Sequence, residues 1–169
     1  MVPNPLVIHV VRKDLRIQDN PILHHLATAP DHGVEKFLPV YIFPAHQVVL
    51  SGFIKDGSDN PYPAARSAVG GFFRCGPHRA TFTAEAVWDT KKQLTAIGSG
   101  LLIRVGMIAD IIQDLVEGLK EKGQEVGAVW MTSHEGTEEE QDEQAVASLC
   151  EKGGLQFKLW VDEKYYIDE

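Results

Sequence analysis

Short apolar runs alternate along this chain with longer stretches in which apolar residues recur every three or four positions, the pattern of buried strands separated by amphipathic helices. The first run, Leu6 to Val11 with His9 inside it, passes directly into the charged cluster Arg12-Lys13-Asp14-Leu15-Arg16 and then to a helix start at Asp19-Asn20-Pro21. Asn20 is a suitable cap and Pro21 takes the first helical position, where a missing N–H costs nothing, so a helix is predicted through Ile22, Leu23 and Leu26 until Pro30 stops it. Pro39 to Phe43 reads as a second strand, with proline tolerated at its first residue. Pro44 to Gly76 carries Gly, Pro, Ser and Asn throughout and reads as a surface excursion with a short helix near Ala64 to Val69.

A second helix is predicted from Pro77 to Ile97, with Ala80, Ala84, Val87 and Leu94 on one face and Gly98 as its stop. Leu101 to Val105 follows as a third strand, and the stripe Met107, Ile108, Ile111, Ile112, Leu115 and Leu119 as a third helix ending near Gly123. Val126 to Met131 is the fourth strand; Thr137-x-x-Glu140 is a capping-box signal for a fourth helix burying Ala145, Val146, Leu149 and Cys150, with Gly153 beyond it. Leu155 to Val161 closes the series as a fifth strand. Strands joined through helices pair in parallel by right-handed crossovers. The expected class is therefore α/β, a Rossmann-like, doubly wound five-stranded parallel sheet in three layers, and 169 residues suit one domain.

Composition narrows the function. A formal net charge of −8 opposes unaided binding to DNA or RNA, because neutralising phosphates takes clustered Lys and Arg. Cys75 and Cys150 are too few for a disulfide framework and point to a reducing compartment. No apolar run approaches the roughly 20 residues of a membrane span, and Met1 to Pro5 does not read as a signal peptide. A soluble, intracellular protein is expected, with nucleus, cytoplasm and organelle all open.

The first strand does not end in the glycine cradle of a dinucleotide site. Gly98-Ser99-Gly100 precedes a strand instead of following one, and the lysine-bearing phosphate loop is missing. Cys75-x-x-His78 has a ligand-like spacing but no second pair nearby, and no G-x-S-x-G nucleophile turn occurs, so no metal or catalytic residue is assigned. Taken alone, the cluster after the first strand reads first as a solvated loop in which Asp14 pairs with a neighbouring arginine.

Arg12-Lys13-Asp14-Leu15-Arg16 followed by Asp19-Asn20-Pro21 resembles the R-x-D-L-R-x-x-D-N opening of the photolyase and cryptochrome flavoproteins. Arg79-x-x-Phe82-x-x-Glu85-x-x-x-Asp89, Leu94 and Gly98-Ser99-Gly100-Leu101 are similar to that family's next helix and strand. Arg74-Cys75-Gly76-Pro77-His78-Arg79 and Arg104-Val105-Gly106 resemble the cryptochrome DASH branch, particularly its fungal members. One departure is Val10-Val11 before Arg12, where many relatives carry an aromatic residue. Full members continue into a helical domain that holds FAD and contacts DNA. The resemblance therefore implies an amino-terminal antenna-binding domain alone, with that FAD-binding helical domain as its partner, DNA contact only through it, and no membrane contact.

In this family the sheet domain helps hold a light-harvesting antenna, methenyltetrahydrofolate in many members and a deazaflavin or flavin in others. The antenna passes excitation to FAD, which serves repair of pyrimidine dimers in single-stranded DNA, as in deoxyribodipyrimidine photolyase, or blue-light signalling. The resemblance places a pterin-contacting carboxylate at Glu135, with His134 beside it, Phe43 as an apolar wall and Arg12 facing the antenna. An ionised carboxylate can accept two adjacent N–H donors of a pterin edge.

Each assignment has a plain alternative. Glu135 also reads as a residue that serves only the dipole of the helix it precedes, and Arg12 and Arg16 as locks of the loop to Asp14 and Asp19. Arg79 and Glu85 read as internal polar partners, the three tryptophans as core or edge packing, and His24-His25 as the exposed side of the first helix. The competing class is a stand-alone nucleotide-binding or protein-interaction module of the same sheet architecture, without photochemistry. An isolated fragment would expose its docking face, so self-association is also expected.

Overall fold

The computed structural model describes residues 6–29, 33–48, 59, 61–62, 64–67 and 69–162. Five strands, β1 (Leu6–Val11), β2 (Lys36–Pro44), β3 (Leu102–Gly106), β4 (Val126–Thr132) and β5 (Gln156–Trp160), form one sheet in the order β3-β2-β1-β4-β5. Every pairing is parallel. Four helices connect or follow them: α1 (Pro21–Thr28), α2 (Pro77–Ala96), α3 (Ile108–Glu121) and α4 (Thr137–Gly153). This is the doubly wound sheet read from the sequence.

β1 lies at the centre and is buried along its whole length, as an apolar run covered on both faces must be. On one face Ile8, Val10, Val40, Ile42 and Met131 pack with Ile108 and Ile112 of α3 and Val146 and Cys150 of α4. On the other, Val11 and Tyr41 meet Val87 and Leu94 of α2, while Val7 and Trp130 meet Ile22 of α1. Asn20 caps α1 by accepting from the Ile22 and Leu23 N–H groups at 3.0 Å each.

Several local expectations are corrected. On α4, Ala145 is exposed, and the cap is Gly136 with no side-chain bond, so the capping box at Thr137 does not form. β2 starts at Lys36, and Pro39 lies within it, paired with His9. The β3 ladder begins only at Val40, so β2 has an open flank at Pro39 and the missing N–H is tolerated as at an edge. The helix expected near Ala64 to Val69 is absent from the described residues there. Ser67 Oγ instead accepts from the N–H groups of Val69 and Gly70, Gly71 takes φ +66°, and Arg66 bridges antiparallel to Phe73. Ala80 is exposed and Ala84 half-buried, because the first turns of α2 run past the sheet before Val87 reaches it. His25 is not on an exposed face; its ring packs, tilted, with its centroid 4.9 Å from that of Trp160 and 6.0 Å from that of Trp130.

Candidate ligand site at the carboxyl edge of the sheet

The strand order reverses between β1 and β4, and the crevice at such a switch point is where open α/β sheets hold ligands. Here a side chain of the protein fills it. Arg12, buried at the end of β1, bonds Glu143 Oε1 of α4 at 2.5 Å and donates to the carbonyls of Thr132 at 3.4 Å and Glu139 at 3.2 Å. Glu143 Oε1 also accepts from the His134 N–H at 3.0 Å. A buried charge is tolerable only when paired and hydrogen-bonded, and both partners meet that condition.

The rest of the loop is also internally satisfied. Asp14, buried, accepts from Arg16 Nε at 2.9 Å and from Asn20 Nδ2 at 2.6 Å. Arg16 reaches Asp19 at 3.2 Å and pairs with Asp162 beyond β5. Lys13 pairs with Glu139 Oε1 at 2.5 Å. Burial would raise the Glu139 carboxyl, but the Lys13 bond, the helix's own N–H and the Arg12 charge outweigh it and hold it below the ordinary range.

Open space lies instead on the β2 side. A cavity of about 390 Å³ runs over the carboxyl ends of β1 and β2, from the first turns of α2 on one face to α3 and α4 on the other. Its apolar surfaces come from Val11, Leu15, Tyr41, Phe43, Phe82 and Ile108. Polar groups stand at both ends: Arg79 and Thr83 on α2, Gln47 after β2, and Glu139 and Asp142 on α4. Burial pushes the Tyr41 phenol up to about 12, so it stays protonated and able to donate at any physiological pH.

Asp142 is buried on the cavity wall, and its ionic contact is His46 Nε2 at 3.9 Å, too long for a hydrogen bond. Burial raises its carboxyl pKa, and the charges of His46 and Arg12 only partly oppose that. His46 Nδ1 is buried without a hydrogen-bond partner among the described residues. Asp142 is thus an under-satisfied acceptor beside an apolar-walled space, open to an N–H donor of a bound molecule.

The sequence-derived candidates separate. Phe43 and Arg12 line the cavity, although the guanidinium of Arg12 is committed to α4 and the end of β4. Glu135 is exposed and His134 half-buried, both outside the cavity lining. The His134 imidazole is held below its ordinary pKa by burial and by the Arg12 and Lys13 charges, and its Nε2 is buried without a hydrogen-bond partner among the described residues. Arg79 and Glu85 are exposed, not internal partners: six positions apart, they lie on different sides of α2. Tyr41, Asp142 and Glu143 were not singled out beforehand. The signal for the last two was the spacing of acids within Glu138 to Glu143, four of which share one helix face.

A family model described as DNA photolyase matches residues 7–164. The chain is 58% identical over 170 residues to a protein of Neurospora crassa named as a mitochondrial cryptochrome DASH, covering all of this chain and 23% of that protein. It is 53% identical to a cryptochrome DASH of Gibberella zeae, covering 24% of it, and 32% identical to one of Xenopus laevis, covering 28%. The chain thus spans about a quarter of the length of these relatives. Among solved structures, the cryptochrome of Synechocystis matches with a TM-score of 0.71 at 20% identity, over 95% of this chain and 28% of that one. An archaeal photolyase from Sulfolobus tokodaii, described with two FAD molecules and a novel light-harvesting cofactor, matches with a TM-score of 0.61 at 16% identity, over 92% of this chain and 29% of that one.

Proposed function

The chain belongs to the DNA photolyase family, and we propose that it serves as the antenna-holding α/β domain of a cryptochrome DASH-type flavoprotein. The observation that carries this reading is the cavity of about 390 Å³ at the carboxyl edge, aromatic on its walls and polar at its ends. That volume lies near the lower end of the ~300–1,000 Å³ typical of small-molecule sites, enough for a fused ring system and too little to enclose a dinucleotide. A chromophore seated there would supply near-ultraviolet or blue-light absorption. The residues of the chain seat it, exclude water from its ring and hold it at fixed orientation. FAD, DNA contact and any repair or signalling belong to a helical domain outside this chain.

Two antenna classes fit two places. A flavin or deazaflavin ring suits the cavity. Methenyltetrahydrofolate is the antenna expected at Glu135, beside His134; there the exposed carboxylate would form one wall and the helical domain the other. The reading as a stand-alone dinucleotide-binding domain is disfavoured by Arg12 and Glu143, which occupy the switch-point crevice where such a ligand would lie.

Absorption and fluorescence titration of the chain with flavin mononucleotide and with methenyltetrahydrofolate tests the reading, and binding of at least one is expected. A chain that takes up neither overturns it. In a protein that also carries the helical domain, Glu135→Ala should remove folate absorption and leave FAD in place; unchanged near-ultraviolet absorption would count against the folate seat.

A further inference from the structure

Resting on the antenna reading, we propose that the cavity selects its chromophore by two opposite charges, Asp142 accepting the N–H edge of the ring and Arg79 holding an anionic tail at the mouth. Three acids in the first half of α4 already have strong cationic partners: Glu138 with Arg74, Glu139 with Lys13 and Glu143 with Arg12. Asp142 shares their face but has only His46 at 3.9 Å, makes no hydrogen bond among the described residues, and borders the cavity. A buried carboxylate in this position lacks donors, and the space beside it is where donors can arrive. The ring N–H of a flavin or deazaflavin is such a donor.

The opposite end has the complementary chemistry. Arg79 lines the cavity from α2, is exposed, and makes no ion pair or hydrogen bond among the described residues. Its positive charge works against the burial-driven rise of the Tyr41 phenol pKa, and both residues line the cavity. Tyr41 is buried against α2 on the far face of the sheet from Asp142, and its hydroxyl has no partner among the described residues. The phenol is therefore available to a ring carbonyl or hydroxyl, while Arg79, closer to solvent, suits a phosphate or carboxylate on a flexible tail. Such a layout favours a mononucleotide-type chromophore over the same ring without its charge.

Riboflavin and flavin mononucleotide differ only in the phosphate, so paired fluorescence titrations of the 169-residue chain isolate each end. Flavin mononucleotide should bind about five- to tenfold more tightly than riboflavin. Arg79→Ala should weaken flavin mononucleotide more than riboflavin and so remove most of that difference, and Arg79→Lys should restore part of it. Asp142→Asn should weaken both ligands by about tenfold, since the ring N–H then meets a neutral acceptor in place of a charged one. Circular dichroism of each variant verifies the fold. Wild-type binding that is indifferent to the phosphate, or tight binding that ignores both substitutions, overturns this assignment while leaving the antenna reading intact. A wild-type chain that binds no chromophore overturns both.

Discussion

His9 stands in the middle of the central strand, 2% exposed, with its ring 5.5 Å from that of Phe37 and its Nδ1 buried without a hydrogen-bond partner among the described residues. Desolvation lowers its pKa from 6.5 to about 3, because nothing nearby compensates a positive charge there. The unfolded chain, by contrast, protonates this imidazole in the ordinary way. Between those two values the unfolded state binds more protons than the folded state, so His9's contribution is fully present above 6.5 and is lost as pH falls toward 3. At ~1.4 kcal/mol per pH unit the loss is roughly 2 kcal/mol at about pH 5 and on the order of 5 kcal/mol at the acid end. Against a total stability of about 5–15 kcal/mol, that is enough to decide whether the sheet survives mild acid.

His9→Phe keeps a flat ring and removes the titration. Urea unfolding of wild type and variant, followed by tryptophan fluorescence from about pH 7 down to about pH 4, measures the difference in unfolding free energy directly. Other histidines and carboxylates titrate in both chains and cancel in that difference. The variant should gain on the wild type by roughly 2 kcal/mol between about pH 7 and about pH 5, and by more below that. If the two stability curves run parallel over this range, the buried neutral imidazole is not what the structure implies.

Glu143→Ala leaves the Arg12 guanidinium buried without its partner and should cost about 3–5 kcal/mol in urea unfolding, whereas Arg12→Met combined with Glu143→Leu should recover most of the loss. Gly106→Ala should lower stability by about 1–3 kcal/mol by thermal unfolding. A Cβ there would stand 2.9 Å from Ile111 Cγ1 and 2.9 Å from the Tyr62 hydroxyl, so the glycine of the Arg104-Val105-Gly106 sequence marks a close approach.

The sheet was legible because each strand is a separate apolar run and each connection carries its own helical stripe; that alternation leaves little choice but parallel pairing. Boundaries were less legible where tertiary contact overrides local preference. Lys36, Phe37 and Leu38 join β2 because β1 offers them partners, and Pro39 is carried inside the strand because β3 has not yet begun. Glu135 came from resemblance alone and lies outside the cavity lining, whereas Phe43 lies within it. The sequence distance of 131 residues between Arg12 and Glu143 hid the pairing that closes the switch-point crevice.

The acidic run Glu138 to Glu143 is where local and tertiary readings diverge most. Five acids in six residues have the composition of a solvated helix face beside an amino terminus. Their spacing carries different information: Glu138, Glu139, Asp142 and Glu143 recur at one helical turn and so share a face, while Glu140 turns to solvent. That face is stitched to Arg74 before α2, Lys13 and Arg12 after β1, and more loosely to His46 after β2. The helix therefore gathers three separate loops at the carboxyl edge of the sheet and shapes the cavity between them. Because three of the four acids are neutralised by Arg or Lys, the fourth is the place where a donor from outside the chain gains most. A residue that looks like one more charge in a run becomes, by the failure of its own ion pair, the group through which a ligand can be read.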